Sequence, residues 1–244
     1  MDLMSPGVLG ATALAALLVG LAKNGVPGLG VLVVPLMAYA LPARDSVGVL
    51  LPLLVTGDML AIALYRRHAQ WRKLLGLLPY VVAGMLAAAF VLARIDNATL
   101  RPLLGGLILL LLALEVLRMR HQWRHLPHHP LFTAGIGTAA GFATTLGNAA
   151  GPIMSLYLLS RELPKQQFVG TAAWFFFVVN CSKVPLYWQL GMITPQSLAL
   201  NAWVVPLVAA GAWCGFRLLP VIPQQWFKGL VLLLTAVAAF GLLF

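Results

Sequence analysis

The chain has 244 residues, 61% hydrophobic and 9% charged, against roughly 25% charged in a soluble domain. So few charges cannot cover a water-soluble globule of this size, and an integral membrane protein is expected. The net charge of +10 comes with no basic run interleaved with stacking aromatics, so it argues against a nucleic-acid partner and for cations gathered in cytoplasmic loops.

The residues before the first apolar run carry Asp2 and no Lys or Arg. That is unlike a signal peptide, so the run is read as structure. Ten apolar segments follow in chain order: A (7–22), B (30–41), C (47–65), D (74–93), E (102–117), F (131–147), G (151–160), H (168–187), I (198–216) and J (226–244). A spanning helix needs about 20 residues. C, D, H, I and J meet that length, and E does with its flanks. B and G would rise only about 18 and 15 Å against a core of about 30 Å. The pairs A–B and F–G are split by K-N-G-V-P-G-L at 23–29 and T-T-L-G-N-A-A-G-P at 144–152. Both read as broken helices or re-entrant hairpins, which membranes tolerate only where the backbone is buried in protein or lines a wet cavity.

The two halves repeat. Gly20 and Gly30 match Gly141 and Gly151 at a shift of 121. Pro42, Gly48, Asp58 and Tyr65 align with Pro164, Gly170, Asn180 and Tyr187 at a shift of 122. Interrupted segments at corresponding places in two halves mark the binding site of a secondary transporter. If each broken pair returns to its starting side, the halves are inverted. Arg66, Arg67, Arg72, Lys73, Arg118, Arg120, Arg124, Arg161, Lys165, Arg217 and Lys228 then share one side, and only Arg44, Arg94 and Arg101 face the other. The positive-inside rule favours that arrangement, with both termini outside. The expected fold is an all-α integral membrane bundle of two inverted repeats, each a broken or re-entrant hairpin plus about three transmembrane helices. The first repeat covers 1–119, a cytoplasmic linker 120–130, and the second repeat 131–244.

Ionisable groups inside the membrane are costly and are functional candidates. Lys23 and Lys183 are the two cations set within apolar stretches, and Asp58 is the acid set deep. Asn180 and Lys183 are three apart and share a helix face. Free N–H groups at the starts of B and G carry partial positive charge, and nearby glycines let an anion approach the backbone. The candidate substrate-binding residues are Lys23, Asn24, Gly25, Thr145, Asn148, Asn180 and Lys183. Asp58 offsets a lysine or is the proton-coupling group. Simpler readings stand beside these: Lys183 snorkelling to an interface, and the Asn and Thr residues only joining helices. Trp174 and Phe175–Phe177 read as packing. The histidines at 121, 125, 128 and 129 read as a solvated loop, not a metal site. H-E-x-x-H, G-x-S-x-G and Walker A patterns are absent, so no enzyme, metal or cofactor is expected.

K-N-G-V-P-G-L-G at 23–30, L-P-L-L-V-T-G-D at 51–58, Y-R-R-H-A-Q-W at 65–71, G-N-A-A-G-P-I-M-S-L-Y-L-L at 147–159, L-P-K at 163–165 and G-T-A-A-W-F-F-F-V-V-N-C-S-K-V-P at 170–185 resemble the sulfite exporter TauE/SafE family. Asn24 stands where Thr is expected in similar proteins. The resemblance implies a multi-pass permease of the bacterial inner membrane that exports sulfite or a small organosulfonate, with Lys23, Asn148, Asn180 and Lys183 near the substrate. The partners expected are a small anion and membrane lipid, with a homodimer left open. An anion channel, or a scaffold or sensor docking a partner on loop 118–130, are the alternatives.

Overall fold

The computed structural model describes residues 5–25, 29–65, 69–121, 130–161, 163 and 165–218. These form ten helices and no strand: α1 (Pro6–Asn24), α2 (Gly30–Ala40), α3 (Ala43–Tyr65), α4 (Trp71–Leu75), α5 (Leu78–Leu92), α6 (Asn97–His121), α7 (Pro130–Gly147), α8 (Gly151–Ser160), α9 (Lys165–Gln189) and α10 (Pro195–Leu218). Segment J, most of the central linker and Val26–Gly28 of the first break lie outside the described residues.

Four helices are long and apolar enough to cross a membrane: α1, α3, the 23 residues Gln167–Gln189 of α9, and α10. Segment A was expected to be too short alone. It starts earlier, at Pro6, whose fixed φ suits a first helical position, and it runs 19 residues to Asn24. Segment D was expected to span and does not do so as one helix. Gly76 and Pro79 divide it into the five-residue α4 and the 15-residue α5, because proline restarts a helix more readily than it continues one. The expected linker begins late, since α6 continues to His121. At the other end of α6, Asp96 accepts the Thr99 backbone N–H at 2.9 Å and sets its start. The half-helices α2 and α8 have 11 and 10 residues, about 16 and 15 Å of rise.

Helices in lipid gain little from burying apolar surface against each other, so close backbone approach at small residues holds them together. Two interfaces show this. In one, α1 lies along α10. A Cβ on Gly20 would strike the Val208 carbonyl, and one on Gly211 the Leu17 carbonyl. In the other, α7 lies along α5. A Cβ on Gly141 would strike the Val81 carbonyl, and one on Gly84 the Thr138 carbonyl. Positions 17 and 20 map to 138 and 141 at a shift of 121, and 81 and 84 map to 208 and 211 at a shift of 127. The same joint is thus built twice, each time from one helix of each half.

α3 also packs on α9. Gly48 abuts the Met192 backbone just past the end of α9, Asp58 meets Asn180, and Gln70, past the end of α3, donates its N–H to Thr171 Oγ1 at 3.0 Å. One number falls as the other rises, so α3 and α9 are antiparallel. Outward faces carry Leu86, Trp203 and Trp213, all exposed, as suits a surface that meets lipid.

The glycine joints predict a contrast. Gly141→Leu should destabilise the purified protein by about 1–3 kcal/mol through overpacking. Gly10→Ala, with nothing near its added carbon, should leave the melting temperature within about 1 °C. Thermal melting in detergent, followed by size exclusion, checks both.

Candidate functional site

The second break is held by Asn148. Its backbone has φ 56°, the one left-handed non-glycine residue among those described. Asparagine tolerates that region better than most residues. Its N–H returns to the Thr144 carbonyl at 2.9 Å and Ala149 N–H to the Ala143 carbonyl at 3.2 Å. These bonds close the C-terminal end of α7. The side-chain amide then reaches across the fold: Nδ2 donates to the Val47 carbonyl of α3 at 3.0 Å, and Oδ1 accepts from Lys183 Nζ at 2.6 Å.

Lys183 is fully buried, so the snorkelling alternative does not describe it. Besides Asn148 it donates to the Thr144 carbonyl at 2.9 Å and to Thr144 Oγ1 at 3.0 Å. The other lysine has a different environment. Lys23 Nζ lies 2.7 Å from Asp58 Oδ1 and 4.0 Å above the centre of the Phe176 ring. Asn180 Nδ2 donates to Asp58 Oδ2 at 2.7 Å. Asp58 is fully buried, and an unpaired carboxylate there would be strongly unfavourable. Counted by formal charge, Lys23, Lys183 and Asp58 sum to one positive charge.

Beside these groups is a cavity of about 100 Å³. One water needs about 10–15 Å³ by the same kind of measure, so there is room for a small ion. Its lining includes Gly30 and Gly151, the first residues of the two half-helices. Lys23 faces it from the first half and Thr144, at the equivalent position, from the second; Leu54 and Phe176 form another equivalent pair. Asn148, Ser155 and Asn180 add polar groups, and Met154, Leu158 and Phe168 add apolar wall.

The structure therefore gathers Lys23, Asn148 and Asn180 at one cavity, with Asp58 and Lys183 directly behind them. Asn24, Gly25 and Thr145 are placed elsewhere. Asn24 Nδ2 donates to the Gly20 carbonyl at 3.0 Å, and its own carbonyl accepts the Tyr65 hydroxyl at 3.1 Å. Tyr187 donates in the same way to the Thr145 carbonyl at 2.7 Å. Tyr65 and Tyr187 are equivalent, as are Asn24 and Thr145, so each half secures the end of its first arm with one tyrosine. Gly25 packs on the Gly215 backbone. Its missing side chain serves helix packing.

Three further polar or aromatic cavity residues are not among the candidates the sequence pointed to. Thr144 stands in the polar run of the second break and is the counterpart of Lys23 at the shift of 121, yet the candidate there is its neighbour Thr145. Phe176, read as packing, is the counterpart of Leu54 at 122. Ser155 left no signal of its own.

A family model described as Sulfite exporter TauE/SafE matches residues 12–242. No curated relative and no solved structure matches the chain. The family match runs through both breaks, Lys23 and the buried Lys183, and the chain belongs to the sulfite exporter TauE/SafE family, a family of membrane transporters.

Proposed function

We propose that the protein is a secondary transporter that exports a small anion, such as sulfite or an organosulfonate, across the bacterial inner membrane. Transport proceeds by alternating access between two inverted halves. The observation that carries this reading is the convergence of both half-helix N-termini, Gly30 and Gly151, on one cavity that also meets Lys23. Each N-terminus has unsatisfied N–H groups and roughly half a positive charge. In a low-dielectric site these act on an anion far more strongly than they would in water. The net positive charge of Lys23, Lys183 and Asp58 adds to them.

Inversion is supported by the antiparallel run of α3 and α9, helices that occupy equivalent places in the two halves. The duplicated glycine joints and the distribution of Lys and Arg support it as well. Asp58 is the proton-coupling group in this reading. Its ionised form holds Lys23 at 2.7 Å, and its neutral form would release that ammonium to the anion.

Three outcomes are expected. In proteoliposomes loaded with labelled sulfite or sulfoacetate, the native protein gives saturable flux, and Lys183→Ala lowers flux at subsaturating anion about tenfold or more through loss of charged hydrogen bonds. No flux of either anion through correctly folded protein would overturn the transport reading. Asp58→Asn should make flux independent of an imposed pH gradient and lower stability by about 3–5 kcal/mol, because Lys23 loses its buried partner; adding Lys23→Met should recover most of that loss. Cysteines at Arg72 and Arg217 should both react with an impermeant thiol reagent applied from the cytoplasmic side. Labelling from opposite sides would contradict inverted halves.

A further inference from the structure

We infer that Thr144 is the side-chain donor that meets the head of the anion, and that Lys183 is its positioning residue and touches no substrate. The inference rests on the anion-transport reading above and assigns the contacts within that site.

An ammonium has three hydrogens to donate. Lys183 has three acceptors at hydrogen-bond distance: the Thr144 carbonyl at 2.9 Å, Thr144 Oγ1 at 3.0 Å and Asn148 Oδ1 at 2.6 Å. It is fully buried behind them, and it is not part of the cavity wall, whereas Thr144 and Asn148 are. A direct contact between Lys183 and an anion would require breaking one of these bonds.

The Thr144 hydroxyl is left with a different task. Its oxygen accepts from Lys183, so its own hydrogen points elsewhere. Three hydroxyls within these helices donate to the carbonyl four residues back: Thr12 to Val8 at 2.7 Å, Thr56 to Pro52 at 2.9 Å and Ser182 to Val178 at 2.7 Å. Thr144 makes no such bond, and no acceptor among the described residues takes its hydrogen. The cavity is its outlet. Asn148 is similar, since one of its two amide hydrogens goes to Val47 and the other remains. A charge behind the hydroxyl polarises it and makes it a stronger donor.

This arrangement also suits release. An oxyanion in direct contact with two lysines would be held too tightly to leave, and transport needs binding favourable enough to enter yet weak enough to exit. Here the first wall offers Lys23, already shared with Asp58. The equivalent position on the second wall offers a neutral hydroxyl backed by Lys183.

The test uses the full chain reconstituted in proteoliposomes, with sulfite as the probe. Thr144→Val keeps the shape of the side chain and removes the hydroxyl. It should raise the KM for sulfite about tenfold or more and leave the maximal rate within about twofold. Thr144→Ser should restore the native KM. In detergent, the rise in melting temperature on adding sulfite should vanish in Thr144→Val and return in Thr144→Ser. Lys183→Met should raise KM in the native background and raise it by a smaller factor in Thr144→Val, since the part of its effect that runs through the hydroxyl is already gone. Should Thr144→Val fail to fold, Thr144→Ala carries the same expectation. Native flux together with an unchanged KM in the folded Val or Ala variant overturns this inference alone, as does failure of Thr144→Ser to rescue. Absence of sulfite flux and of sulfite protection in the native protein overturns the transport reading itself.

Discussion

A lysine ammonium deep in a bilayer must find acceptors within the protein, and here Lys183 finds them on the end of a helix that stops early. An intact helix offers no free carbonyls and few side-chain acceptors at mid-depth. The break after α7 supplies the carbonyl and hydroxyl of Thr144 and the amide of Asn148. Asn148 is in turn held in a left-handed turn and bonded to Val47 of α3. One buried charge therefore ties together α9, the break and the opposite half. Losing the charge frees the break, and closing the break strands the charge. The first half meets the same problem differently, with the carboxylate of Asp58 opposite Lys23.

Those polar contacts need both breaks at one depth, and the glycine joints provide that. Lipid tails are as apolar as leucine, so helices associate by fit and not by exclusion of water. α1 against α10, and α7 against α5, meet backbone to backbone, where any Cβ would collide with a carbonyl. Each broken arm is thereby keyed to a helix of the other half. The cavity lies between two keyed arms.

Much of this arrangement can be read in the residues. The breaks announce themselves through Gly, Pro and Asn between apolar runs too short to span. Asn180 and Lys183 declare a shared face by their spacing. The near-constant shift pairs Asp58 with Asn180, and the two are in contact in the folded chain. Helix rotation was less legible. Thr144 and Thr145 differ by about 100° around one axis; one faces the cavity while the carbonyl of the other takes the Tyr187 hydroxyl. The same step separates Phe175, packed in the core, from Phe176 under Lys23. Gly25 looked suited to an anion approaching the backbone, because its true neighbour, Gly215, is far away in sequence. Local pattern carries spacing well. It cannot say which distant helix takes up a small residue.

The two halves share a scaffold but not a charge distribution, and that difference gives the cavity its character. Glycines at 20 and 141, the tyrosines at 65 and 187, and the half-helix starts at 30 and 151 are the same in both halves. At the deep polar positions they diverge: Lys23 faces Thr144, and Asp58 faces Asn180. Were the first-half residues repeated in the second, two lysine–aspartate pairs would cancel and leave only the helix ends to attract an anion. Were Asp58 replaced by a second asparagine, the largely enclosed Lys23 would lose its counter-charge, at a cost of several kcal/mol. The observed mixture keeps every buried charge partnered and still leaves a surplus of one positive charge. On the transport reading proposed above, the symmetric scaffold gives alternating access its two equivalent walls, and broken symmetry in four residues is what makes those walls favour an anion.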